Sequence, residues 1–264
     1  MSKRIAIIGG GNLGVAIAEG LLNSGFSKPA DLTVTKRNIT TLKPLEEKGV
    51  HITNDNNSAV EKSEVIILAV KPFQVSEVLN AVKNDLTEKK ILISVVTGVL
   101  LNDLDGIINK KMAYFRAMPN TAIAIQESMT CICSKDADAT MINYVNELFR
   151  TLGQVVTIDE KLMEAATILG ACGTAYAMRY IRANIQGGIE IGFDAATASL
   201  IAAQTVKGAA ELLLKKGSHP EQEIDKVTTP KGCTIAGLNE MEHRGFSSSL
   251  IRGVVASYKK IAKD

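Results

Sequence analysis

The chain has 264 residues, 46% apolar and 22% charged, enough for one large or two modest domains with a substantial core. Thirty basic against 28 acidic residues give a net charge of +2 spread along the chain, which excludes the electrostatic footprint of a nucleic-acid or anionic-membrane partner. Three histidines, no tryptophan and four cysteines (Cys131, Cys133, Cys172, Cys233) without a CxxC pair or zinc-like spacing argue against a metal site and for reduced thiols in a cytoplasmic protein.

The first apolar run, RIAIIG at 4–9, is ended by glycine too early for a signal-peptide core and reads as a strand. A helix pattern follows at 13–24. Further strands are expected at 31–36, 64–70, 90–96, 112–118, 129–134 and 154–158, with a second early helix at 74–85. Such alternation predicts a mainly parallel sheet covered on both faces. Beyond Asp159 the β-branched runs vanish, and helical spacing takes over at 160–187, 195–216, 234–244 and 247–262. The expected architecture is a Rossmann-type α/β domain over 1–158 followed by an all-α domain over 159–264. No uncharged stretch reaches the ~20 residues that span a bilayer. The helical half is dense in small residues, among them Gly170, Gly173, Gly187, Gly188, Ala202 and Ala209. Close helix packing within one chain explains them, but so many apolar positions in so small a domain favour an intersubunit interface.

Gly9-Gly10-Gly11-Asn12-Leu13-Gly14 lies between the first strand and its helix. Gly9 permits a tight turn, Gly11 a close backbone approach to a pyrophosphate, and Gly14 close packing of helix on strand; the helix start supplies N–H groups to the phosphates. An NAD-preferring site usually carries an acidic residue after the second strand. Here Lys36, Arg37 and Asn38 stand there instead, which favours NADPH over NADH because cations suit a 2′-phosphate. Ala69, Val70, Lys71 and Pro72 follow the third predicted strand, and VTGV (96–99) and AMPNTA (117–122) follow the next two. Three such loops on one sheet edge are better explained by a cofactor cleft than by turn chemistry.

The second half limits the reaction. A ketone that accepts hydride also needs a proton donor, yet His51, His219 and His243 form no convincing dyad. β-Hydroxyacid dehydrogenases use a lysine on the first long helix of their second domain; this chain has none between Lys161 and Lys207, and Arg179 and Arg182 cannot donate a proton near neutrality. A cyclic imine avoids the difficulty because its iminium form arrives protonated. It needs placement, a hydroxyl near nitrogen and donors for a carboxylate. TTPKGCTIAGLNEME, at 228–242, offers those parts: Thr229 and Thr234 flank Pro230-Lys231-Gly232-Cys233 at the start of a helix. The Thr234 hydroxyl could cap that helix or meet a substrate nitrogen. A capped surface turn explains the same residues.

Together, the amino-terminal glycine motif, LAVKP, MPNT, IQGGIEIGFDAATASLIAAQTVKGAAELL, HPEQEIDKVTTPKGCTIAGLNEME and GFSSSLIRGV resemble the pyrroline-5-carboxylate reductases over nearly the whole chain. The resemblance implies reduction of L-1-pyrroline-5-carboxylate to L-proline, the last step of proline synthesis. It also implies a second domain like the carboxyl-terminal domain of 6-phosphogluconate dehydrogenase. By position, Asn56 resembles the asparagine that helps hold adenosine, with Ala69 to Pro72 beside it. Thr234 resembles the threonine that faces the ring nitrogen. Thr229, Lys231, Gly232 and Cys233 fall in the turn that grips the substrate carboxylate. The family's helical domains form intertwined homodimers that often build larger rings. Two departures stand out: Thr229-Pro230-Lys231-Gly232 replaces the common Ser-Pro-Gly-Gly, and 170–175 lacks the family's serines and proline. Reduction of a different imine and a non-catalytic NADP-binding role remain the alternatives.

Overall fold

The structure, a computed structural model, describes residues 3–262. Eight strands form one sheet: β1 (Ile5–Ile8), β2 (Leu32–Thr35), β3 (His51–Thr53), β4 (Val65–Leu68), β5 (Ile91–Ser94), β6 (Ala113–Met118), β7 (Ser128–Lys135) and β8 (Gly153–Thr157). Their order is β3-β2-β1-β4-β5-β6-β7-β8, parallel throughout except between β6 and β7. The early strands are unbroken apolar runs because a parallel sheet is buried on both faces. All four residues of β1, β4 and β5 are buried. The short edge strand β3 escapes the sequence pattern: three half-polar residues carry no usable alternation, and pairing with β2 makes it a strand.

Helices α1 (Asn12–Asn23), α2 (Lys43–Glu46), α3 (Asn56–Glu61), α4 (Val75–Val82), α5 (Leu101–Ile108), α6 (Ala139–Arg150) and α7 (Met163–Ala166) surround the sheet. Two cores result. Ile17 and Leu21 of α1 and Leu148 of α6 pack beneath Ile5, Ile7 and Val34. On the other face, Val60 of α3, Leu79 of α4 and Leu104 of α5 meet Ala6, Ile8 and Ile66. Burying a side chain such as Leu79 contributes about 1.5–3 kcal/mol.

The first compact unit continues through Cys172, beyond the last strand. Core burial and a buried ion pair help to hold that extension. Met163 is fully buried in the second core. The buried guanidinium of Arg116 on β6 pairs with Glu160 and Glu164, each at 3.0 Å. A π-helical turn, Thr167–Cys172, ends the unit.

The second unit, from Gly173 onward, is helical: α8 (Gly173–Glu190), α9 (Ala195–Lys216), α10 (Pro220–Lys226), α11 (Cys233–His243) and α12 (Phe246–Ala262). Asp194 caps α9 by accepting from the N–H groups of Ala196 and Thr197, and left-handed Gly217 ends it. Tyr176 and Ser257 share a 2.7 Å hydrogen bond between α8 and α12. Among the described residues of this unit, only Ala198 and Ala202 are buried apolar side chains, whereas Met178, Ile191, Leu200, Leu214 and Ile251 are more than 60% exposed. No described helix is long and apolar enough to cross a membrane.

Candidate active site

The strand order reverses between β1 and β4, so the loops after these strands diverge and leave a crevice at the carboxyl edge of the sheet. Gly9 to Asn12 form one wall. Gly9 and Gly10 donate to the Thr35 carbonyl at 3.2 and 2.7 Å, which folds the loop back over β2. Gly9 takes φ +114°, and a Cβ there would strike the Ala69 carbonyl; a Cβ on Gly14 would strike the Gly9 carbonyl. These two glycines therefore let β1, α1 and the opposite loop close on one another. Gly11 faces open space. It is also the cap residue of α1, with no side-chain cap bond and no acidic residue in the first turn. The backbone N–H groups near Asn12 and Leu13 are thus left for an incoming anion. This arrangement fits a dinucleotide pyrophosphate.

Ala69 to Pro72 form the opposite wall. Ala69 donates to the Ile8 carbonyl at 2.8 Å, Val70 lies beside Gly9, and Lys71 starts a short turn in which its N–H donates to Gln74 at 3.2 Å. The loops after β5 and β6 lie on the same edge. In the latter, Asn120 accepts from the Ala122 N–H at 3.0 Å and donates from Nδ2 to the Gly170 carbonyl at 3.2 Å. This amide ties MPNT to the π-helical turn. Only the fold reveals the link, because the partners stand fifty residues apart.

At the other end of the crevice, the Lys36 N–H donates to the Thr53 carbonyl, which fixes the start of the basic turn against β3. The Lys36 ammonium has no ion-pair partner among the described residues, whereas Arg37 Nη2 lies 3.6 Å from Glu77 on α4. Asn38 accepts from the Thr40 N–H and stabilises the turn internally. Asn56 opens α3, where Asp55 is the cap and accepts from Ser58. Lys36, Arg37 and Asn56 thus lie on consecutive connections of the same sheet. Sequence reasoning missed Glu77, and no local motif flags it.

In the second unit, Thr229 to Gly232 form a turn closed by the Gly232 N–H and the Thr229 carbonyl at 2.9 Å. Proline occupies its second position and Lys231, at φ +59°, its third. That is the pattern of a type II turn, whose third residue is normally glycine. Lys231 is therefore a long cation held in the left-handed region. Gly232 caps α11, without a side-chain cap bond, and a Cβ there would lie 2.5 Å from the Thr229 hydroxyl. The helix begins at Cys233, so Thr234 sits inside its first turn. This corrects the expectation that the Thr234 hydroxyl could cap the helix: the cap position belongs to Gly232, which has no hydroxyl to offer. Backbone N–H groups of Cys233 and Thr234 point out of an uncapped helix start.

The structure also has a charge cluster absent from the sequence reading. Glu160 bridges Arg116 and the Leu101 N–H, which it accepts at 2.7 Å at the start of α5. Cys133 is paired across the sheet with Arg116. Burial first, and then the Glu160 charge, push its thiol up to about 11. The acids lie more than forty residues from Arg116 in sequence, so no motif connects them.

Two family models match the chain. One, described as "NADP oxidoreductase coenzyme F420-dependent", matches residues 4–98; the other, "Pyrroline-5-carboxylate reductase dimerisation", matches residues 160–264. Pyrroline-5-carboxylate reductase 1 of Dictyostelium discoideum is 46% identical over 98% of this chain, and the chain spans about half, 49%, of that relative. Pyrroline-5-carboxylate reductase 2 of the same organism is 44% identical over 99% of this chain and 93% of its own length. The crystal structure of Plasmodium falciparum pyrroline carboxylate reductase with NADP bound superposes with a TM-score of 0.90 at 28% identity, covering 98% of this chain and 97% of that one.

Proposed function

The chain belongs to the pyrroline-5-carboxylate reductase family, and we propose that it reduces L-1-pyrroline-5-carboxylate to L-proline with NADPH, the last step of proline biosynthesis. The observation that carries the cofactor half of this reading is the uncapped, carboxylate-free loop Gly9 to Gly14 at the strand-order reversal. In it, backbone groups of Gly11, Asn12, Leu13 and Gly14 hold the pyrophosphate on the loop that Gly9 folds, Lys36 and Arg37 face the 2′-phosphate, and Asn56 with Ala69 to Pro72 hold the adenosine side. When bound, the cofactor supplies hydride to the imine carbon.

The remaining work is placement. Free backbone donors of Cys233 and Thr234 at the start of α11, with Thr229 and the Lys231 cation, hold the substrate carboxylate, and Gly232 closes the turn beside them. The Thr234 hydroxyl orients the ring through its nitrogen. The iminium nitrogen carries its proton into the reaction and keeps it in the product, so the C=N bond gains only hydride and no side chain need act as an acid. Thr234 is thus the catalytic residue by contact with the reacting group.

The protein is a homo-oligomer in this reading. The exposed apolar faces of α8, α9 and α12 are larger than isolated surface residues explain, and a second copy covers them. A homodimer through the helical unit is the basic assembly, and rings of dimers extend it. Accessible Cys172 and Cys233 suit the reducing cytoplasm.

The deciding experiment follows loss of NADPH and of NADH absorbance with pyrroline-5-carboxylate in parallel. Faster turnover with NADPH is expected. A clear preference for NADH would remove the 2′-phosphate role of Lys36 and Arg37. NADPH binding without oxidation would instead identify a non-catalytic regulator, and a panel of cyclic imines would expose a different substrate.

A further inference from the structure

We infer that Glu77 tunes cofactor choice by competing with the cofactor's 2′-phosphate for Arg37. This rests on the reading of Lys36 and Arg37 as the phosphate-facing pair. Arg37 follows β2 and Glu77 lies in the first turn of α4, forty residues later, yet Arg37 Nη2 and Glu77 Oε1 are 3.6 Å apart. That distance makes an ion pair without a proper hydrogen bond. The side chains are 80% and 73% exposed, so the pair is weakly held and has little part in holding the fold. It occupies one of the two cations of the basic turn and leaves Lys36 free of ion-pair partners among the described residues.

A phosphate monoester carries about −1.5 to −2 charges near neutrality and forms forked, bidentate contacts with arginine. It therefore displaces a loose single-oxygen carboxylate contact from Arg37. The displaced Glu77 then lies within about one Debye length, ~8 Å at physiological salt, of the dianion and opposes its binding. A cofactor without the 2′-phosphate leaves the Arg37–Glu77 pair intact and is unaffected. Glu77 thus acts only against the phosphorylated cofactor, and it holds back a preference that Lys36 and Arg37 alone would make stronger.

The test measures dissociation constants of NADPH and NADH by titration calorimetry for the wild type, Glu77→Gln, Arg37→Gln and the double variant. Glu77→Gln should tighten NADPH about two- to fivefold and leave NADH within about twofold, and the gain should shrink at high salt because the interaction is screened. Arg37→Gln should weaken NADPH selectively, and adding Glu77→Gln to it should recover little. If Arg37→Gln leaves NADPH binding unchanged, the phosphate reading itself is wrong and the inference falls with it. If Arg37→Gln weakens NADPH but Glu77→Gln leaves the NADPH/NADH ratio unchanged, or weakens NADPH, the phosphate reading stands and the competitive role of Glu77 is overturned.

Discussion

Lys231 is the residue in the turn proposed to hold the substrate whose backbone and charge make opposite demands. Its φ of +59° is one that a lysine adopts at a cost of about 1–2 kcal/mol. Replacement by glycine removes that strain, but the more flexible unfolded chain takes back about 0.5–1 kcal/mol. Lys231→Gly should therefore be as stable as the wild type or more stable by up to about 1.5 kcal/mol. Asparagine enters the left-handed region more easily than most side chains and carries no charge, so Lys231→Asn removes the cation with little change to the turn. The ammonium is exposed, and an exposed charge facing a carboxylate contributes only about 0.5–1 kcal/mol. Both variants should therefore raise KM for pyrroline-5-carboxylate about two- to fivefold, with kcat and the KM for NADPH within about twofold of wild type. Unsubstituted 1-pyrroline, which has no carboxylate, should show no such rise. Steady-state kinetics with both imines, beside thermal melts, separates strain from charge. Unchanged KM for the carboxylated imine in both variants would refute the electrostatic role and leave Lys231 a tolerated surface residue.

Thr234→Ala should lower kcat about 10- to 100-fold while NADPH affinity stays near wild type, because the hydroxyl is assigned to the substrate nitrogen alone; full turnover in that variant would sink the assignment. Arg116→Met leaves Glu160 and Glu164 facing each other without their counterion. Urea denaturation should register a loss of about 2–4 kcal/mol, below the fully buried range because both acids retain some solvent. Alkaline stability follows from Cys133 and Tyr114, raised by burial from 9.0 to about 11 and from 10.0 to about 12. A folded-state pKa above the unfolded one gives stability that is complete below the unfolded value and is lost as pH rises through the folded one. Melting temperature should therefore fall from about pH 9 upward, and Cys133→Val should delay the onset; an identical pH profile for the variant would contradict the thiol's part.

The parts of the fold readable in sequence are those where one physical demand dominates a contiguous stretch. A central parallel strand must be apolar on both faces, so IAII and VIIL identify themselves, and GGGNLG between strand and helix identifies the nucleotide loop. Edge strand β3 faces a weaker demand and stays hidden. Residues 160–172 answer to two demands at once. Their helical spacing is real, but Met163 and the two glutamates bind that helix-rich stretch to the sheet, so its composition resembles one unit while its packing belongs to the other.

The candidate site divides along the same line. Gly9 and Gly14 are legible because a missing Cβ answers a local steric demand, on the adjoining strand's loop or five residues back in the chain. Gly232 is carried by the family resemblance instead, and its steric demand is seen only in the fold. Glu77, Glu160 and the Asn120–Gly170 link are not legible, because their roles arise from pairings 40 to 59 residues apart in sequence. Lys231 stands between these cases. The turn pattern already calls for glycine at its position, and the structure gives the lysine the left-handed conformation that pattern requires. A cation that accepts backbone strain in the turn assigned to an anionic substrate is better explained by its charge than by its conformation. The Lys231→Asn comparison isolates that charge.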